Sequence, residues 1–559
     1  MRLSSFRKLL PLIALTFAIP ALALTPVAAR HGMVVTNSRY ATKAGVQMLK
    51  AGGNAVDAAV AVGFALEVTY PFAGNIGGGG FMMIRMADGR SVMIDYREEA
   101  PGHATRNMYL DKQGNVIPGA STVGALSVGV PGTVAGLALA EQKYGKLGLA
   151  RVMKPAIRLA QRGFPVSYWL AQSLRQHREL LSKFAASRRI YLRDGNLYQP
   201  EEVFRQPELA RTLRLIARDG PKAFYDGPIA NDIVATMKKY GGIITLKDLA
   251  DYHAIVRKPL IGHFRGDEIL APPPPSSGGV ALIEMLNILD PLDLGPPDSY
   301  HSIHLIAEAM RRAYADRAAY LGDTDFVHVP IKGLLSLKYA AKLRQEILES
   351  KPDAPIQAGN PVPFEGPNTT HFSVVDAAGG AVSNTYTLNN GYGSGVMVDR
   401  AGFLLNDEMD DFTSKPGTPN MYGLIQSEAN AIAPRKRPLS SMTPVIVLQN
   451  NKVRLVLGAP GGGTIINTVL QVLLNVVVYH MDVLQAVIAP RFHDQWMPDQ
   501  LTVEKWGFSA DTLDKLKKAG YKIHVVNSIG ECEAIAVDLE TGWRFGAADP
   551  RGTGKAAGY

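Results

Sequence analysis

The stretch that most constrains this chain runs from Asn368 to Asp411: NTTHFSVVDAAGGAVSNTYTLNNGYGSGVMVDRAGFLLNDEMDD. His371–Asp376 alternates apolar and polar residues, Ala377–Gly380 supplies a turn, and Ala381–Leu388 extends again. That pattern predicts a β-hairpin with two threonines at its leading end. If the strands pair, Thr387 returns beside Thr369. A threonine hydroxyl is a poor nucleophile without a base, and one available base is the residue's own α-amino group. That amine exists only if the chain is cut just before the threonine. The stretch therefore points to a precursor that cleaves itself between Asn368 and Thr369, leaving Thr369 as a new N-terminus.

The rest of the chain is built to carry a large core. It has 559 residues, 47% hydrophobic and 19% charged, with no long low-complexity tract, enough for one big domain or two to three ordinary ones. The formal net charge of +9 comes from scattered basic residues, with no interleaved aromatics or zinc spacing, which argues against nucleic-acid binding. Cys532 is the only cysteine, so neither an intrachain disulfide nor a thiolate zinc site can form.

Residues 1–29 read as a secretory signal. Arg2, Arg7 and Lys8 form a positive start, Leu9–Leu24 an apolar run, and the small residues at Ala21-Leu22-Ala23 and Val27-Ala28-Ala29 offer two cleavage points. The run is short and interrupted by Pro11 and Pro20, which speaks against a stable membrane anchor and for export to the periplasm or beyond. Next come a strand (GMVVTN), a helix ending at Gly52-Gly53, and an apolar helix Ala55–Val68 capped by Asn54 with Asp57 at its third position. GNIGGGG (74–80) lacks the lysine of a phosphate loop and the spacing of a dinucleotide site, and reads as a close-packed turn. FMMIRM and SVMIDY flank Asp88-Gly89 as a hairpin. Residues 132–260 look helical, and 351–368, rich in Pro, Gly and Asn, look like a linker suited to a cut. His301, His304 and Glu308 have a spacing that could serve a metal, but a packed or solvated helix face explains them better.

Several segments then occur in one order: GGNAVDAA, GNIGGGGFMMIR, DYREEAP, SVGVPGTVAGL, PPPPSSGG, TTHFSVVD, TYTLNN, GYGSG, LLNDEMDDF, KPGTPNMYGL, KRPLSSMTP and GAPGGG. In that order the chain resembles the γ-glutamyltransferases, self-processing enzymes of the N-terminal nucleophile hydrolase class. The resemblance spans nearly everything after the leader. It implies an α+β fold, a four-layer αββα sandwich made by a large segment (30–368) and a small catalytic one (369–559) that stay together as a heterodimer after self-cleavage.

The resemblance also implies roles. Thr369 matches the nucleophile, and Thr387 the threonine whose hydroxyl supports it. Asn389, Glu408 and Asp411 match residues that bind the α-amino group of the γ-glutamyl moiety, as an ammonium requires. Asp410 and Asp411 could equally form a solvated acidic turn, and some relatives carry glutamine where Glu408 stands. Arg97, otherwise read as a surface arginine paired with Glu98 or Glu99, matches the guanidinium that grips the α-carboxylate together with Ser440 and Ser441. Gly461 and Gly462 match an oxyanion hole, at a strand–loop–helix junction where free backbone amides meet a helix dipole. Tyr422 matches the tyrosine of a lid over the site. His371 shares a strand face with Thr369 but is structural in the family. The implied reaction is attack on the γ-amide of glutathione or a related donor, giving an ester resolved by water or by an amino acid or dipeptide acceptor. No metal or organic cofactor is implied. Two rivals remain: an acylase on the same scaffold, and a non-catalytic binding protein that kept the fold.

Overall fold

A computed structural model describes residues 24–349 and 369–559. The leader through Ala23, the linker 351–368 and Asn368 on the near side of the proposed cut lie outside the described residues. Two seven-stranded sheets, antiparallel throughout, dominate the fold. One runs in the order Val27–Ala29, Arg544–Ala548, Glu533–Val537, Lys452–Leu457, Val445–Gln449, Asp267–Ala271, Leu260–Phe264. The other runs Lys555–Gly558, Met33–Thr36, Thr370–Val375, Ala381–Thr387, Gly79–Arg85, Ser91–Asp95, Ile255–Arg257.

Side-chain alternation places each sheet in its layer. In the second sheet Val34, Met82, Ile84, Ile94, Phe372 and Val374 pack on the helices of the first half of the chain. Their neighbours Met33, Val35, Phe81, Met83, Met93 and Val375 face the first sheet instead. A period of two along each strand thus fills both faces, as a doubly covered sheet requires. Helices Gly278–Leu289, Tyr300–Tyr320 and Ile465–Val477 cover the far side of the first sheet, completing a helix–sheet–sheet–helix stack.

Local chemistry explains the elements that hold the site. Asn54 caps Ala55–Thr69 through Val56 and Asp57 in a capping box, and all fifteen residues of that helix are buried. GNIGGGG is a close-packed turn: a Cβ on Gly78 would fall 2.0 Å from the Thr387 carbonyl oxygen, so glycine lets this loop press against the end of the hairpin strand. Asn467, Gln471 and Asn475 point at the chain that follows their helix, bonding His493, Phe492 and Ala486 respectively, so their polar stripe is packed. The helical reading of 132–260 ends early, because Ile255–Arg257 adds an edge strand to Ser91–Asp95. At an edge of the first sheet Val27–Ala29 pairs with Arg544–Gly546, so a leader cut after Ala29 would remove a strand that a cut after Ala23 keeps. Among the described residues no helix is long and apolar enough to cross a membrane.

Candidate active site

The hairpin register brings the two threonines together. Thr370 pairs with Tyr386 and His371 with Thr385; carried one residue back, the ladder sets Thr369 opposite Thr387. Odd-numbered side chains of this strand face the other sheet, so Thr369 opens into the space between the two sheets at their rim. Thr387 Oγ1 accepts the backbone N–H of Asn389 at 2.8 Å and thereby shapes the turn after the strand, where Asn389 takes a positive φ of 75°. His371 sits two residues deeper, fully buried between Thr385 Oγ1 (2.8 Å) and Ser373 Oγ (3.0 Å). Burial lowers its imidazole to about 3, so it stays neutral and works as an interlayer hydrogen-bonding group.

One small cavity is lined by Arg97, Thr369, Thr387, Asn389, Glu408, Asp411, Tyr422, Ser440, Ser441 and Gly462. Segments more than 300 positions apart meet there. Arg97, with no exposed surface, donates to Glu408 and, at 2.5 Å, to Asp411, while Nε and Nη2 bond the carbonyls of Pro438 and Leu439. Burial alone would lower this guanidinium; Glu408, Asp411 and Glu98 raise it above its ordinary value, so it is a fixed cation. Burial lifts the Glu98 carboxyl to about 7 and pushes that of Glu408 well above the ordinary carboxylate value, and both inaccessible side chains stand beside Arg97.

Ser440 and Ser441 enter on the strand-like segment Leu439–Met442, held by Ser277, which donates to the Ser440 carbonyl at 2.6 Å. Arg317 donates to Ser277 Oγ (2.9 Å) and Ser441 Oγ (3.1 Å), placing a second buried cation behind the serines. Glu98, a partner the sequence offers Arg97, lies 3.6 Å from it, whereas nothing in the sequence singles out Arg317 or Asp407. Arg317 lies in a helix with no recognisable signature, and Asp407, which accepts the Asn390 amide at 2.9 Å, is one acid among several in LLNDEMDDF.

Tyr422 closes the cavity: its hydroxyl donates to Asn389 O (2.7 Å) and Oδ1 (2.5 Å), and its ring lies against Gly462, where a Cβ would fall 2.5 Å from it. Gly461 and Gly462 adopt φ of 141° and 53°, a turn that L side chains rarely allow. Gly462 faces the Thr369 cavity, whereas Gly461 lines an adjoining one of about 110 Å3 with Gln495 and Ile529. The sequence-predicted residues therefore converge, apart from Gly461 on the back of its turn and Asn368 outside the described residues. His304 bonds Tyr521, and Glu308 bonds Arg311 and Arg312; among the described residues no cluster is arranged to hold a metal.

The family described as Gamma-glutamyltranspeptidase matches residues 41–559. The chain belongs to the γ-glutamyltranspeptidase family. It is 49% identical to a glutathione hydrolase proenzyme of Pseudomonas sp. (strain A14), covering 100% of both chains, and 47% identical to one of Escherichia coli (strain K12), covering 96% of this chain and 93% of that one. Its fold matches the crystal structure of a cephalosporin acylase from Bacillus halodurans with a TM-score of 0.84 at 29% identity, over 96% of this chain and 97% of that one. This γ-glutamyltranspeptidase family member thus has the αββα architecture of N-terminal nucleophile hydrolases.

Proposed function

We propose that this chain is a self-processing γ-glutamyltransferase and glutathione hydrolase in which Thr369, freed by cleavage after Asn368, attacks the γ-amide of glutathione or a related donor. The new α-amine takes the hydroxyl proton during attack and returns it to the leaving amine. The resulting γ-glutamyl ester passes to water or to an amino acid or dipeptide. The amide of Gly462, which faces the cavity, receives the oxyanion, a contribution of roughly 3 kcal/mol in such sites, and Gly461 shapes the turn that presents it. The large and small segments act as one heterodimer, and the leader directs export to the periplasm or beyond.

The observation that carries this reading is the pairing of Arg97 with Glu408 and Asp411 beside Thr369. A cation and two carboxyls that hold each other form a template for a zwitterion. A γ-glutamyl donor presents both charges on its α-carbon: its carboxylate replaces the acids on Arg97, assisted by Ser440 and Ser441, and its ammonium replaces Arg97 on Glu408 and Asp411, with Asn389 alongside. The cavity now holds about 20 Å3, room for about one water, so Tyr422 and its loop must swing out before a donor enters.

A glutaryl or β-lactam side chain has no α-ammonium, so this template favours the transferase reading over the acylase. Turnover of γ-glutamyl over glutaryl anilide is expected, and Thr369→Ala should run as one uncleaved band on a denaturing gel without activity. Equal turnover of both anilides would favour the acylase, and normal two-fragment processing of Thr369→Ala would remove Thr369 as nucleophile.

A further inference from the structure

Cleavage in front of Thr369 creates a mechanical problem. The sheet ladder begins at Thr370, so the nucleophile becomes the first residue of a chain end, where strands fray. A displacement of 1 Å at a reacting group costs on the order of 100-fold in rate. Something other than the severed backbone has to hold that end still.

The residue after the nucleophile carries such a hold. Even-numbered side chains of its strand face the helices, and there Phe372 and Val374 are apolar, whereas Thr370 is a fully buried hydroxyl. Its Oγ1 donates to Asn37 Oδ1 at 2.7 Å, and Asn37 Nδ2 donates to Glu531 Oε2 at 2.8 Å. Asn37 is itself inaccessible, and its carbonyl accepts from Thr553 Oγ1 at 3.0 Å. The loop that presents Glu531 is anchored on both flanks. Arg491 bonds the Ile529 carbonyl at 2.9 Å and Asp549 at 2.7 Å, Glu504 accepts the Ile529 amide at 2.7 Å, and Asp549 accepts the Cys532 amide at 2.9 Å. The same loop abuts the glycine turn: a Cβ on Gly461 would lie 3.5 Å from Gly530 Cα.

We propose that Glu531 is a positioning residue for the nucleophile: through Asn37 it pins Thr370, and through the loop at Gly530 it keys the free end of the small fragment to the Gly461–Gly462 turn. This rests on Thr369 being the nucleophile. The pin lies on the face of the strand opposite the substrate cavity, so it acts on the rate of the chemical step and leaves donor binding alone.

The test compares Glu531→Ala, Glu531→Gln and Thr370→Val in the full chain. It reads the rate of self-cleavage, then kcat and KM for a γ-glutamyl anilide per titrated active site. Glu531→Ala and Thr370→Val should each lower kcat at least about tenfold with KM unchanged. Glu531→Gln, which keeps an oxygen acceptor for Asn37, should recover most of the loss. The double variant Glu531→Ala/Thr370→Val should be no slower than either single, as expected of two members of one chain of bonds. A wild-type kcat in Glu531→Ala, a loss that Glu531→Gln fails to recover, or additive losses would overturn the proposal. If Glu531→Ala fails to fold, Thr370→Val alone decides it by the same kcat and KM readout. Thr369→Ala run beside them separates the two readings: if it is uncleaved while Glu531→Ala behaves as wild type, only the positioning role falls.

Discussion

At the scale of single residues, Arg97 is a buried charge held from several sides, to which the proposed function adds a second task, gripping the donor. Its fork is shared between Glu408 and Asp411 and fixed by the carbonyls of Pro438 and Leu439. Lysine would keep the charge but lose the planar two-pronged grip. Arg97→Lys should therefore fold and self-cleave while KM for the donor rises by roughly 10- to 100-fold, the equivalent of one or two charge-assisted hydrogen bonds; an unchanged KM would take Arg97 out of the donor site. The type of each site residue was legible in the sequence, because a threonine pair, an arginine and an acidic run suggest their own chemistry. Their mutual contacts were not. Nothing in DYREEAP says that Arg97 spans to Glu408, more than 300 positions away, and Arg317 sits in a helix whose sequence carries no hint of Ser441.

At the scale of elements, the hairpin and the helix after Asn54 were readable because each carries its own signal: alternation with a turn in one, a capping box with an apolar run in the other. The edge strands Val27–Ala29 and Ile255–Arg257 were not, since both are short and exist only because a neighbouring strand offers its edge. The helix Ala55–Thr69 also carries a measurable penalty. Glu67 is buried in it, and loss of hydration lifts its carboxyl to about 8, against the pull of the Ile76 amide. The folded form therefore holds a proton that the unfolded chain has released, from a pH near the ordinary glutamate range up to about 8. Stability from this group is present in full at low pH and falls as pH rises through that window. Glu67→Gln should flatten the fall in Tm between about pH 5 and pH 8; an equally steep fall in the variant would place the pH dependence elsewhere.

At the scale of the whole molecule, the proposed cut before Thr369 would not divide the fold. Met33–Thr36 lies between Lys555–Gly558 and Thr370–Val375, and Ala381–Thr387 pairs with Gly79–Arg85. In the other sheet Val445–Gln449 pairs with Asp267–Ala271. Separating the fragments would break ladders in both sheets and expose the core between them, so the processed protein should elute as one species from a native sizing column and split only in denaturant. Elution of the fragments apart in native buffer would contradict this interleaving. The central claim, that a backbone break supplies the base for one hydroxyl, is tested most directly by N-terminal sequencing of the smaller fragment from active material. The account predicts a chain opening Thr-Thr-His-Phe, from Thr369; a fragment that opens at any other residue would contradict it.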